Sequence, residues 1–277
     1  MKLFRPKKVK DYFLSQETFT IDWTNPLIGK TLVELDCDLQ RYYQSDDYIS
    51  HQSEKKGLLG SVYNVVQHYM YRRKFKIILE HQPQLNRLLD FGCGVGGFLH
   101  FLSKKGVQVS GVEPNSNALE IAREKDLAVT NTLESHIAHK NDCITLWHVL
   151  EHMVSPKETI LHLKEFLNDS GLLVVAVPNP NARDANYYQE HWAAWDVPRH
   201  LWHFTPQGIE RMVVDLGFEF IAKYPMPLDA FYVSLLSEGY KKRSFKWIRV
   251  LWNGFRSTSY GIKSKDFSSQ IYLFRKT

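Results

Sequence analysis

Residues 88–97, Leu88-Leu89-Asp90-Phe91-Gly92-Cys93-Gly94-Val95-Gly96-Gly97, read as an apolar strand that turns through glycines directly into a helix. Glycine lets the chain fold back sharply and lets a ligand approach the backbone closely. The first turn of the helix that follows offers unpaired N–H groups. From here the strand–helix pattern recurs. Strand candidates lie at 87–91, 107–112, 127–130, 143–146 and 172–177, separated by helical segments near 96–104, 115–125 and 156–167. Strands joined by single helices imply a parallel sheet with right-handed crossovers, the doubly wound α/β class.

On the C-terminal side, 178–205 is rich in Pro, Asn, Trp, Tyr and His and reads as a long irregular lid. Thr205-Pro206 reads as a helix N-cap with proline in the first turn, and that helix ends at Gly217. Two late strands follow at 218–223 and 270–274, with a basic insertion over 225–267. On the N-terminal side, helical spacing of Leu58, Leu59, Val62, Val65, Val66, Tyr69 and Met70 predicts a helix over 57–80. Before it, Phe19, Ile21 and Trp23 alternate with polar residues, and Leu32, Val33 and Leu35 suggest a second strand. Residues 1–56 thus form a small β-rich extension to a main domain over 57–277.

The chain has 277 residues, 44% hydrophobic and 23% charged, enough for a packed core without disulfides. Cys37, Cys93 and Cys143 show no metal or redox spacing. The basic N-terminus lacks the apolar stretch of a signal peptide, and the longest apolar run, 172–177, is too short to cross a bilayer. A cytoplasmic protein is expected. A net charge of +5 does not by itself argue for nucleic acid, and none is expected as a partner.

The spacing Gly92, Gly94, Gly97 also fits the dinucleotide fingerprint, and a tight turn with no ligand is the plain alternative. Two carboxylates choose among these. Asp90, inside the strand, opposes a pyrophosphate but suits an ammonium group. Glu113, closing the second strand, can accept both hydroxyls of a ribose. S-adenosylmethionine has a ribose, an adenine and an ammonium, and no phosphate.

With these residues the chain resembles the class I S-adenosylmethionine-dependent methyltransferases. It is most similar to a methyltransferase-domain family that places H-V-L-E-H after strand four and aromatic-D-V-P-R-H after strand five. Here these are His148-Val149-Leu150-Glu151-His152 and Trp195-Asp196-Val197-Pro198-Arg199-His200. The resemblance covers roughly residues 40–277. It implies a Rossmann-like, seven-stranded, mostly parallel sheet with a final antiparallel strand. It further implies that Asp90, Gly92, Cys93 and Gly94 surround the methionine part and Glu113 holds the ribose. Pro114, Thr132 and Leu133 would border the adenine, and Trp147 and His148 would close the methionine side. Related chains often carry a cysteine pair resembling a zinc site in the N-terminal strands. Only Cys37 lies there, so no metal is expected.

The histidines have competing readings. H-x-x-E-H also matches a zinc protease pattern, but about one turn between a strand and Ser155-Pro156 frames such a site poorly. At the sheet edge His148 is a candidate base for a substrate hydroxyl, or it only packs on the cofactor. Tyr187, Tyr188, His191, Trp192, Trp195, Arg199, His200, Trp202 and His203 read as a water-excluding lid with His200 and His203 as further catalytic candidates and Arg199 as an anion binder, or as a structural flap. Residues 241–256 combine Lys241, Lys242, Arg243, Lys246, Arg249 and Arg256 with Phe245, Trp247, Ile248, Leu251, Trp252 and Phe255. That segment suits contact with anionic lipid or an acidic substrate, or a helix packing its apolar face on the domain. Tyr42, Tyr43, Asp47, Tyr48 and His51 are candidates to cap the cofactor site, or are exposed tyrosines in a linker.

The expected reaction is methyl transfer. No N/D-P-P-Y motif follows strand four, so a hydroxyl acceptor on a small molecule, sugar or lipid is preferred over an amino group. An NAD-dependent oxidoreductase and a non-catalytic cofactor-binding protein remain the alternatives.

Overall fold

The computed structural model describes residues 3–33, 39–43, 58–134, 139–241 and 246–277. In chain order its elements are β1 (Lys8–Lys10), β2 (Thr18–Asp22), β3 (Ile28–Leu32), α1 (Leu58–His81), β4 (Arg87–Phe91), α2 (Gly97–Ser103), β5 (Gln108–Val112), α3 (Ser116–Arg123) and β6 (Ala128–Thr130). Then come β7 (Asn141–Trp147), α4 (Pro156–Glu165), β8 (Leu167–Pro178), α5 (Arg183–Tyr188), β9 (Trp202–Phe204), α6 (Pro206–Val214), β10 (Phe218–Pro225), α7 (Asp229–Tyr240), α8 (Lys246–Ser264) and β11 (Ser269–Lys276).

Seven strands make the main sheet in the order β10-β11-β8-β7-β4-β5-β6. Strands β4 to β8 run parallel, and β11 is antiparallel to both β8 and β10. Strand β8 shows why this sheet must be covered on both faces. Leu173, Val175 and Val177 enter one apolar core, and Leu172, Val174 and Ala176 enter the other. The period of two sends alternate side chains to opposite faces, and neither face meets water. The order of connection reverses between β4 and β7. Loops leaving these neighbours diverge to opposite faces and open the crevice in which such sheets bind ligands.

A second, antiparallel sheet has the order β1-β2-β3-β9. It corrects two expectations. The N-terminal strands do not stand alone, because β3 pairs with β9 from the far side of the chain. The stretch 178–205 is not an irregular flap. It holds α5, β9 and two 3-10 turns, and its aromatics Tyr188, Trp192 and Trp195 are buried against Val9, Ile21 and Val197 in a third core. These aromatics, which read as a water-excluding lid or a structural flap, form the core of this smaller layer. The weak strand placed at Leu32–Leu35 begins earlier, at Ile28. Cys37, Asp47, Tyr48, His51, Lys242, Arg243 and Phe245 lie outside the described residues, as does the cofactor-capping role given to that tyrosine cluster except at Tyr42 and Tyr43.

Candidate functional site

The glycine turn is held by β5. Gly92 and Cys93 both donate their N–H to the Val112 carbonyl, at 2.8 and 3.1 Å. Gly92, Gly94 and Gly96 all have positive φ, backbone that a side chain strains. At Gly92 a Cβ would also stand 2.4 Å from Val149 Cγ2. The turn is therefore fixed by conformation and by the close approach of the segment after β7.

Asp90 is buried one strand position from the turn and directly opposite Thr145 in the β4–β7 register. Thr145 Oγ1 donates to Asp90 Oδ1 at 2.6 Å. Burial lifts the Asp90 carboxyl to about 6, with the Thr145 hydroxyl and the Lys74 ammonium opposing the rise. Glu113 follows β5 and holds the glycine turn to the next helix. Its Oε2 accepts from Gly94 N–H at 2.8 Å and its Oε1 from Asn115 N–H at 2.9 Å. Each carboxylate oxygen has a second lone pair left for a ligand hydroxyl. Burial pushes the Glu113 carboxyl up while these two amides pull it down.

Sequence reasoning missed Lys74. It comes from α1, and its ammonium lies 3.9 Å from the centroid of the Trp147 ring and 5.6 Å from that of Phe98. Burial drives its pKa down to about 8, against the pull of Asp90 and Asp229. The indole Nε1 of Trp147 is buried without a hydrogen-bond partner. A cation thus already rests on the Trp147 ring, within the electrostatic reach of Asp90. The buried carboxylates Asp90 and Glu113 suit a cationic ammonium ligand and oppose a pyrophosphate, and Lys74 is the cation with which that ligand competes.

The remaining predicted residues divide. Pro114 and Thr132 are exposed beside Glu113 and β6, whereas the Leu133 side chain belongs to the core. His148 is at positive φ at the end of β7. Its Nε2 bonds Asp229 Oδ2 at 3.2 Å and its Nδ1 faces Glu151 Oε1 at 3.3 Å. Burial disfavours the imidazolium, but the two carboxylates outweigh it and raise the pKa to about 10. Neither nitrogen is open to receive a substrate proton, which corrects the expected base. His203 does not face the crevice. It is buried between Trp23 and Trp195, with its Nε2 2.9 Å from Thr31 Oγ1. Arg199 is consumed as well: it is buried, with Nη2 2.9 Å from Asp11 and 2.7 Å from Asp196. No anion need be supplied from outside. Asp229 opens α7, and no short-range sequence signal joins it to His148 across 81 positions.

The backbone then unites the two histidine motifs. Leu201 N–H donates to the Glu151 carbonyl at 2.8 Å, which brings His200 beside His152, their ring centroids 4.7 Å apart.

A family model described as a methyltransferase domain matches residues 66–223, more than half of the chain. Among curated relatives, a ubiquinone biosynthesis O-methyltransferase of Glaesserella parasuis is 30% identical over 111 residues, 35% of this chain and 47% of that protein. One of Bradyrhizobium diazoefficiens is 29% identical over 144 residues, 47% of this chain and 56% of that protein. The chain spans about half the length of the curated relatives it matches. Among solved structures, magnesium protoporphyrin IX methyltransferase from Synechocystis, with bound S-adenosylmethionine, superposes with a TM-score of 0.54. It is 13% identical and covers 88% of this chain and 100% of its own. At that identity the likeness speaks for the fold alone.

Proposed function

The chain belongs to the class I S-adenosylmethionine-dependent methyltransferases, and on that premise we propose that it methylates a hydroxyl of a small molecule, sugar or lipid. The observation that carries the cofactor assignment is the pair of carboxylates around the glycine turn, Asp90 and Glu113. Asp90 would hold the ammonium of the methionine part, and Glu113 the ribose hydroxyls through its free lone pairs. Gly92, Cys93 and Gly94 would lie along the methionine part, with Trp147 closing that side. Pro114 and Thr132 would border the adenine.

S-adenosylmethionine, when bound, supplies an electrophilic methyl group. The chain's contribution is positional: it holds acceptor and methyl about 3–3.5 Å apart in line. The β4–β7 register fixes Asp90, and the Asp229 bond fixes His148 at the rim, so both act on a preset geometry. His148 is assigned a positioning role, because both ring nitrogens already face carboxylates. The relatives named for ubiquinone biosynthesis are O-methyltransferases, which supports a hydroxyl acceptor here.

A second part of the proposal concerns a membrane surface. On α8 the residues facing inward are small or polar: Val250, Asn253, Gly254, Ser257 and Gly261. A Cβ at Gly254 would stand 2.4 Å from the Phe231 ring, so the close approach requires glycine. The large apolar side chains Trp247, Ile248, Leu251, Trp252, Phe255 and Ile262 face outward, each 61–70% exposed. This reverses the expected packing of the apolar face on the domain. Arg249, Arg256 and Lys263 are exposed on the same helix. Exposed aromatic and aliphatic residues with interspersed cations suit an anionic lipid surface. No helix among the described residues is long and apolar enough to cross a membrane.

Calorimetric titration with S-adenosylhomocysteine and with NADH tests the cofactor. Binding of the first alone is expected; preference for NADH overturns the reading. Labelled-methyl assays on a panel of phenolic, sugar and lipid hydroxyls test the acceptor, and transfer confined to amines would refute that part.

A further inference from the structure

We propose that Glu151, His152 and His200 form a binding site for one divalent first-row transition-metal ion. Each offers a donor atom, and the three atoms lie within 4.8 Å of one another. The triad does not follow the H-x-x-E-H pattern, since both nitrogens of His148 already face carboxylates, Asp229 and Glu151, and the second histidine is His200 from a distant segment. Two further observations point to a ligand. Glu151 is buried, and its Oε2 lacks a hydrogen-bond partner among the described residues, a costly condition for a carboxylate oxygen. Its Oε1 is paired with His148 Nδ1 at 3.3 Å.

Each imidazole is also set for coordination. His200 Nδ1 donates to the Ala194 carbonyl at 2.9 Å, and His152 Nδ1 to the Arg199 carbonyl at 3.0 Å. A carbonyl only accepts, so the proton sits on Nδ1 and the lone pair on Nε2. Backbone carbonyls holding the distal N–H in this way are the usual second support of metal-bound histidine. Tyr43 Oη, 3.2 Å from His152 Nδ1, buttresses the same ring. A tetrahedral ion with bonds of about 2.1 Å spaces its donors about 3.4 Å apart, so closure from at most 4.8 Å takes up to about 1.4 Å. Two nitrogens and one oxygen favour zinc-like or iron-like ions over magnesium or calcium.

Three protein donors leave at least one position for an outside ligand. A small cavity touches Glu151 and His200, bounded by Pro178, Trp192, Trp202 and Phe204. The cavity has room for about one water, which suits that position.

The full chain, stripped with a chelator and titrated with Co2+, should take up one equivalent and develop visible d–d bands. Glu151→Gln and His200→Asn should each weaken Co2+ binding at least about hundredfold while S-adenosylhomocysteine binding stays within about twofold. Absence of stoichiometric Co2+ and Zn2+ uptake, or equal uptake by the variants, overturns the site. Should Glu151→Gln fail to fold, His200→Asn carries the same comparison. Loss of S-adenosylhomocysteine binding in the unmutated chain would instead strike the cofactor reading and leave the metal result standing.

Discussion

The Lys74 ammonium rests 3.9 Å from the centroid of the Trp147 ring and within the field of Asp90. On the proposed placement of the cofactor's ammonium at Asp90, the charge from α1 draws on the same carboxylate. On binding, a cationic ligand competes with it. Lys74→Met is therefore expected to tighten S-adenosylmethionine about tenfold, or about 1.4 kcal/mol. S-adenosylhomocysteine, whose sulfur is uncharged, should change by less than half of that. Calorimetry on both ligands checks the difference. Equal changes for the two would show that Lys74 acts by bulk and not by charge.

Asp90 sets a pH dependence. Its carboxyl is raised from 3.8 to about 6 by burial. An acid whose folded pKa is raised is destabilising above that value, and the cost is relieved as pH falls from about 6 toward 3.8. Asp90→Asn should therefore stabilise the ligand-free protein at pH 7.5, by on the order of 2 kcal/mol. It should also lose the ammonium contact. Cofactor affinity of the unmutated protein should fall about tenfold per unit below pH 6, whereas the variant binds weakly with a flat profile. Thermal denaturation with and without S-adenosylhomocysteine measures both effects. A less stable ligand-free variant would contradict this account.

The main sheet was legible because its signals are local. Strand β4, the glycine turn and helix α1 fall within a residue or two of their expected places, since apolar period and glycine spacing are read within ten residues. Asp90 and Glu113 belong to that same signal. Lys74, Asp229 and the pairing of His152 with His200 were not legible, because each depends on contacts between elements some 50 to 80 positions apart. The aromatic run over 187–203 misled for a different reason. Apolar side chains on an irregular path mark a lid or a core equally, and only β3 pairing with β9 decides between them. His203 and Arg199 accordingly serve packing.

The Asp11–Arg199 pair ties β1 to the segment before β9. Its two ends are unequally supported. Asp11 also accepts N–H bonds from Phe13, Leu14 and Ser15 at 2.9–3.1 Å. Among the described residues, the buried head of Arg199 has only Asp11, Asp196 and the Tyr42 carbonyl as hydrogen-bond partners. Asp11→Ala leaves Arg199 with only Asp196 and the Tyr42 carbonyl among the described residues and leaves three amides bare, for an expected cost of about 3–5 kcal/mol. Arg199→Met leaves Asp11 bonded to backbone and should cost about half as much. Urea denaturation of both variants checks the ranking; equal losses would mean that the pair acts only as an ion pair.

The outward apolar face of α8 yields the remaining test. Trp252 is 61% exposed with Arg256 stacked on its ring at 5.7 Å, so its replacement costs the fold little. Each buried methylene contributes about 0.8 kcal/mol to lipid binding, and each basic residue near an anionic surface about 1 kcal/mol. Trp252→Glu removes apolar area and adds repulsion, so affinity for vesicles containing phosphatidylserine should drop more than tenfold at unchanged melting temperature. The unmutated protein should bind those vesicles more tightly than phosphatidylcholine vesicles, and the preference should shrink as salt rises. Another copy of the chain is the competing occupant of this face. Sedimentation showing a dimer that Trp252→Glu dissociates, with no vesicle binding by the unmutated protein, would assign α8 to self-association and remove the membrane from the proposal.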